Sequence, residues 1–389
     1  MKVIRMIHPV GQGGFYTETL CNENSTINTM YDCGGFDKYG KRKMESYLDC
    51  YLHKEKPLKS IEAVFISHFH ADHINGLQYL LKNVEVKYLF LPQLNDNVML
   101  EAFLYNYCLT GNYNHTNQLL MHLYKGDREY GTADRRTKII QIRSSAEQYV
   151  QGNRNLPENT DNSLGIRAWD WEKQKDIDLM SQNIIASNVI LYCGKWLYIP
   201  FNPPISSKKM KELKTELSKA LNKKIEIADL PTSLKAIGVK KCKKIYDDVF
   251  KKQHNGYSMT LFSGTMEQAA CSEPQKFWCK FMGYSECRNP NFLYTGDFEP
   301  QSNICGIKEH YKICWDKIAS IQIPHHGSKN NYVPEMYEYP VMGIVSVGND
   351  NTYHHPDIDT LVNIQSKGCL PVIVTEDKSS MRIFQYKIL

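Results

Sequence analysis

The chain has 389 residues, of which 42% are apolar and 11% aromatic, and 47 Lys plus Arg against 42 Asp plus Glu set its formal charge at +5. That is enough apolar matter for a sizeable core built around sheets. No run approaches the ~20 uninterrupted apolar residues of a membrane helix, and Met1 to His8 is too short and polar for a signal peptide, so a cytoplasmic protein is expected. The twelve cysteines are scattered with no CxxC pair, which favours reduced thiols over a disulfide framework.

In chain order, residues 1–35 read as strand, turn and strand around Gly11 to Gly14. The second strand ends in Tyr31-Asp32-Cys33-Gly34-Gly35. Met44, Tyr47, Leu48 and Tyr51 recur at helical spacing and predict a helix over 41–53. The apolar run Ile61 to Ile66 predicts a buried strand. It leads into His68-Phe69-His70-Ala71-Asp72-His73, after which Leu77, Leu80 and Leu81 open a helix.

Three imidazoles and a carboxylate on one strand-to-helix turn do not make a core. Protonated they repel, and neutral and buried each ring nitrogen needs a partner. A divalent cation, or two, resolves the conflict, because neutral imidazole and carboxylate oxygen are donors that zinc and manganese accept.

Further along, a strand is expected over 86–91, a helical pattern over 95–125, a short strand over 139–142 and a polar loop over 152–161. Residues 187–198 read as a hairpin, with Pro200, Pro203 and Pro204 ending it. Composition then changes. Residues 205–252 carry 14 Lys against 6 Asp plus Glu, a local balance of +8 (14 − 6), with Met210, Leu213, Leu217 and Leu221 at helical spacing. This predicts an inserted helical lobe within a single domain of 1–389. Lys208, Lys209, Lys240, Lys241, Lys243 and Lys244 are its candidate contacts to a nucleic-acid backbone, although a solvated helix face accounts for them equally well and the segment has no arginine. A strand is expected over 257–262. Three more strands end in polar residues: Phe292 to Asp297, Ile321 to Ser328, and Val341 to Val347 before Asn351-Thr352-Tyr353-His354-His355-Pro356.

Taken together, Val10-Gly11-Gln12-Gly13-Gly14, Asp32-Cys33-Gly34-Gly35, His68 to His73, Thr295-Gly296-Asp297, Pro324-His325-His326-Gly327-Ser328 and Asn351 to Pro356 fall in a recognisable order. The chain resembles metallo-β-lactamase-fold hydrolases, and within them the soluble domain of the ComEC competence proteins. Two departures stand out: Gly14 where that subgroup has Asp, and His354 where it has Gly. The resemblance implies an α/β fold, the αββα sandwich. It also implies two divalent ions, zinc or manganese, held by His68, His70, Asp72, His73, Asp297 and His325 or His326. Asp297 is the expected bridging ligand, and Asp32 is expected to orient a ligand histidine. His254 is the best placed extra ligand between the HxHxDH turn and Asp297.

Asp72, Asp297 and His355 form the expected catalytic set, with His355 contacting the scissile phosphate or protonating the leaving oxygen. The nucleophile expected is a metal-held hydroxide, since no Ser–His–Asp or Cys–His arrangement is present. The function expected first is a phosphodiesterase or nuclease acting on DNA or RNA, with protein partners encoded nearby as a possible context. The alternatives are a hydrolase of a small ester, lactam or cyclic nucleotide, and a metal-stabilised interaction module.

Overall fold

The computed structural model describes residues 1–35, 44–53, 58–111, 115–125, 129–132, 135–145, 156–157, 164–250, 257–267, 269–271, 289–349, 351–352 and 354–388. The strands of the first half are β1 (Lys2–Ile7), β2 (Phe15–Cys21), β3 (Thr26–Cys33), β4 (Ser60–Phe65), β5 (Glu85–Pro92), β6 (Glu129–Thr132) and β7 (Arg135–Ile142). There follow β8 (Arg167–Asp170), β9 (Lys175–Ile177), β10 (Ile184–Ile185), β11 (Val189–Cys193), β12 (Trp196–Phe201) and β13 (Thr260–Gly264). The last are β14 (Ala269–Cys271), β15 (Phe292–Tyr294), β16 (Ser320–Gln322), β17 (Met342–Ser346), β18 (Leu370–Val374) and β19 (Arg382–Ile388).

Among the described residues these strands make two sheets. One runs β10-β7-β5-β4-β3-β2-β1-β19-β14 with β6 beside β7, and the other runs β18-β17-β16-β15-β13-β12-β11-β8-β9. Strand alternation sends successive side chains to opposite faces, so each sheet feeds two cores. Along β12, Trp196 and Tyr198 join the cluster between the sheets, while Leu197, Ile199 and Phe201 join the cluster on the outer face.

Helices cover both outer faces. Over the first sheet lie α1 (Met44–His53), α2 (Ala71–Ile74), α3 (Leu77–Asn83), α4 (Asp96–Thr110), α5 (His115–Tyr124), α6 (Ser207–Leu221), α7 (Leu230–Ile237) and α8 (Val239–Phe250), whose apolar residues share one cluster with Val64 and Leu89. Over the second lie α9 (Pro300–His310) and α10 (Ile358–Ser366), through Ile307 and Ile364. The result is a four-layered αββα sandwich, the fold class expected from the motif set. No helix among the described residues is long and apolar enough to cross a membrane.

Three sequence expectations need refinement. Residues 1–35 hold three strands, β1 to β3, rather than two around a turn. The helical pattern over 95–125 is two helices, because Gly111 at φ +76° takes the left-handed cap position and its N–H closes on Tyr107 O. Pro200 does not end its strand. Pairing with β11 stops at Tyr198, while β12 continues through Pro200 against Leu261 of β13, so the missing N–H costs no bond on the β11 side. The expected loop over 152–161 lies mostly outside the described residues, as do 41–43 of the first helix. Residues 205–250 form α6, α7 and α8 between the antiparallel partners β12 and β13, and α8 packs on α4.

One buried ion pair ties the sheets together. Arg5 sits on β1 between Val3 and Ile7, facing the inter-sheet core, and its guanidinium lies 2.7 Å from Glu18 of β2. Glu18 also accepts from Tyr198, Tyr294 and Ser263 of the opposite sheet, and Arg5 donates to Pro290 O. Removing one member of such a pair strands the other charge in the core, at a cost of about 3–5 kcal/mol. Denaturant unfolding of Arg5→Met is expected to show that loss, and pairing it with Glu18→Met should return most of it. A single-variant loss below about 1 kcal/mol would contradict the assignment.

Candidate metal centre

Strands β3, β4 and β5 run parallel, as do β15, β16, β17 and β18, and their carboxyl ends meet at one rim. That is where side chains in an α/β sheet converge over a crevice. Asp32 closes β3, His68 to His73 follow β4, Asp297 follows β15, His325 and His326 follow β16, and His355 follows β17.

The HxHxDH turn is shaped by its alternation. Phe69 points into the helical core while His68 and His70 face the rim. Asn106 of α4 clamps the turn, accepting from Ala71 N–H at 2.8 Å and donating to Phe69 O at 2.9 Å. The glycine loops close over it. A Cβ at Gly13 would meet Asp72 O at 2.3 Å, and one at Gly34 would meet it at 2.4 Å. At Gly14 a Cβ would stand 2.8 Å from Asp32 Oδ2 and 3.0 Å from His73 Nδ1, so a side chain there would press on that pair. His354 stands at φ +57°, a left-handed conformation that glycine adopts more readily.

Backbone strain concentrates here. Of the non-glycine residues with positive φ, Asp32 (56°), His325 (49°), His326 (55°) and His354 (57°) all belong to these loops. Such conformations cost of order 1–3 kcal/mol each and persist where the surroundings fix a functional geometry.

The donor atoms form two overlapping sets. Asp72, His73, Asp297 and His326 offer one atom each within 4.8 Å of one another, and His68, His70 and Asp72 form a second such set. Asp297 lies 3.2 Å from His73 Nε2, 3.6 Å from His326 Nε2 and 3.7 Å from His68 Nε2, between the two groups. His325 is in neither set. Its Nε2 is 3.8 Å from Asp297 Oδ2, and its side chain is partly exposed. His254 lies outside the described residues.

Each histidine of the two sets has one nitrogen anchored and one turned inward. His68 Nδ1 is 2.9 Å from Ser67 Oγ, His73 Nδ1 is 2.7 Å from Asp32 Oδ2, and His326 Nδ1 is 2.7 Å from Ser346 O. His70 Nε2 lies 3.2 Å from Glu101 Oε1. The opposite nitrogens, His68 Nε2, His70 Nδ1, His73 Nε2 and His326 Nε2, are buried with no hydrogen bond among the described residues, and so is Asp72 Oδ1. Orphaned donor atoms converging on one place, each braced from behind, suit a divalent cation. Asp32 is itself fixed by Ser67, through N–H and Oγ at 2.7 Å each.

The buried carboxylates make the site attract positive charge, either a proton on His73 or a cation that would displace it. Burial, then His73 and His70, keep His68 well below the usual imidazole range. Burial works against protonation of His73, but Asp297, Asp32 and Asp72 hold it well above. Burial would raise Asp297, yet His325, His73 and His326 hold it well below the usual carboxylate range.

His355 stands at the edge of the site, its ring 5.8 Å from that of His325. Asn351 accepts from its N–H at 2.8 Å and donates to its carbonyl at 2.6 Å. Burial, then His325 and His326, push its imidazole down to about 4, so it is neutral near pH 7. Of the lysines, Lys208 is exposed at the start of α6, whereas Lys209 lies near Glu299, whose carboxyl burial raises and Lys209 lowers. Lys240, Lys241, Lys243 and Lys244 are exposed on α8, which packs inward through Cys242, Tyr246, Val249 and Phe250.

Sequence reading missed Glu101, although the signal was there: one carboxylate inside the otherwise apolar stretch Val98 to Leu104. Cys33 is buried in the helical core, in keeping with a packing role. Cys21, Cys33, Cys50, Cys108, Cys193, Cys242, Cys305, Cys314 and Cys369 form no disulfide with one another.

The family model for the anti-Pycsar protein Apyc1 matches residues 13–139, a stretch that holds Asp32, the HxHxDH turn and Glu101 but stops short of Asp297. No curated protein matches the sequence. Among solved structures, zinc-bound PqqB from Methylobacterium extorquens is similar over 96% of this chain and 98% of its own, at 8% identity and a TM-score of 0.39. The αββα sandwich thus places a buried His/Asp donor set, of the kind that can hold a divalent ion, at its strand ends.

Proposed function

We propose that the protein is a phosphodiesterase that hydrolyses a cyclic nucleotide, using two divalent ions, zinc or manganese. The observation that carries the hydrolytic reading is the set of four histidine nitrogens, each braced from behind and converging on Asp72 and Asp297. The match of residues 13–139 to the anti-Pycsar family supports a cyclic nucleotide as the substrate.

On this reading His68, His70 and Asp72 would hold one ion, and Asp72, His73, Asp297 and His326 the other. Ions so held supply Lewis acidity toward a phosphoryl oxygen and activate water at neutral pH. The chain does the rest. Asp32 keeps the His73 ring turned so that Nε2 faces inward, and Ser346 O does the same for His326. His325 and His355, at the open edge, donate N–H groups to the phosphoryl oxygens. Residues 205–252 are an insertion within a single domain.

A second reading, a nuclease, draws support from Lys209 beside Glu299, two residues beyond Asp297. The lysines of α8 do not favour it, because they lie away from the inward side that carries Tyr246. The deciding assay compares 3′,5′-cyclic nucleotides, single- and double-stranded DNA, RNA and a generic phosphodiester with manganese, magnesium or zinc. Preferential hydrolysis of a cyclic nucleotide is expected. For that substrate, charge reversal at Lys240, Lys241, Lys243 and Lys244 is expected to leave KM within about twofold. Were nucleic acid the better substrate, with KM rising steeply with salt and on reversal of Lys208 and Lys209, the nuclease reading would replace it.

A further inference from the structure

Glu101 is fully buried on α4 and meets three donors. Its two oxygens lie 3.2 and 3.4 Å from His70 Nε2, one accepts the phenol of Tyr246 on α8, and the other accepts the phenol of Tyr257 just before β13. The His70 ring is also stacked on Tyr105, 3.6 Å between centroids and 8° between planes. A carboxylate is acceptor-only, so with both oxygens engaged by phenols the remaining contact requires His70 to present Nε2–H to it. That leaves Nδ1, buried and without a hydrogen bond among the described residues, as the lone-pair nitrogen of a histidine grouped with His68 and Asp72. Both phenols come from the chain between β12 and β13, and Glu101 comes from the helix after β5.

We infer that Glu101, braced by Tyr246 and Tyr257, is the positioning residue that fixes His70 for metal binding, so that the β12–β13 helical segment is a working part of the metal centre. The inference rests on the metal-binding part of the function proposed above and on no particular substrate. It gives the lysine-rich segment a role that does not depend on its charge: α8 delivers Tyr246 inward while its lysines remain at the surface. It also explains a buried carboxylate that neither helix packing nor a surface ion pair accounts for, since an unpaired charge at this depth would cost several kcal/mol.

The test measures zinc and manganese binding to the full-length apoprotein by chelator competition, together with its melting temperature before and after metal. Glu101→Gln keeps the shape but presents an amide to His70. It is expected to weaken the ion held by His68, His70 and Asp72 by about 10- to 100-fold, leaving the ion at His73 and His326 within about threefold. Tyr246→Phe with Tyr257→Phe, each removing a single hydroxyl, is expected to weaken the same ion by about 5- to 10-fold. Tyr79→Phe, which removes an exposed hydroxyl bonded to Asp49, serves as the control and should change neither.

Should Glu101→Gln fail to fold, the double phenylalanine variant decides. Zinc affinity within twofold of the native protein in the variants that fold would overturn the inference. Equal weakening of both ions in step with a lower apoprotein melting temperature would overturn it too, since that is the signature of a structural role alone. A native protein that binds neither metal would do the same. No substrate enters the measurement, so a protein that hydrolyses no cyclic nucleotide yet loses one ion on Glu101→Gln would refute only the proposed substrate.

Discussion

Asp297→Asn is expected to yield a folded protein whose hydrolytic rate falls by about 10³-fold or more and whose metal content drops. The residue is buried at the centre of the site, with His73, His326, His68 and His325 nitrogens at 3.2 to 3.8 Å. Those histidines hold its carboxyl well below the ordinary range against the opposing effect of burial, so the charge is present throughout the neutral pH range. An amide keeps the volume but removes one of the two carboxylate charges at the donor atoms, Asp72 carrying the other. Metal stabilisation of a phosphoryl transition state is worth several kcal/mol, and each 1.4 kcal/mol is tenfold in rate. Steady-state turnover and metal analysis of the purified variant check both halves. Native-like activity at full metal loading would remove Asp297 from the site.

The second large effect is expected at His355, and it separates chemistry from metal binding. His355→Ala should slow turnover by about 10²- to 10⁴-fold while metal content stays at the native level. The ring is outside both donor sets, yet its backbone is held from both sides by Asn351, and the loop places it beside His325. With its imidazole pushed down to about 4 by burial and by its histidine neighbours, His355 meets a substrate as a neutral N–H donor near pH 7. His355→Asn, which retains an N–H, is therefore expected to recover part of the rate. Should Asn be as slow as Ala, proton delivery to the leaving oxygen is the better account. Unchanged turnover in His355→Ala would reduce the residue to a turn former.

Much of this protein is legible in its sequence because the relevant signals are local. The HxHxDH turn declares itself by chemistry: four metal-type donors within six residues leave no packed alternative. Strand ends at Asp32, Asp297 and His325-His326 are readable because an apolar run followed by Gly and polar residues is short-range punctuation. The β11–β12 hairpin and the amphipathic helices within 205–250 follow from period and turn residues.

What the sequence could not supply is pairing across distance. Nothing local says that β3 lies beside β4, that Asp32 reaches His73 Nδ1 across 41 residues, or that His326 rather than His325 turns its nitrogen toward Asp72. Those choices are made by the parallel register of the strands and by loops held at positive φ, where packing overrides the intrinsic preference of each residue. Glu101 shows the difference most clearly. In sequence it is one charge in an apolar helix. Only the sandwich brings Tyr246 from 145 residues away and Tyr257 from 156 residues away to the same carboxylate. Local chemistry determined what this chain binds with. Burial and long-range register decided which atoms face the site, because a buried charge is tolerated only where the fold gathers enough donors around it.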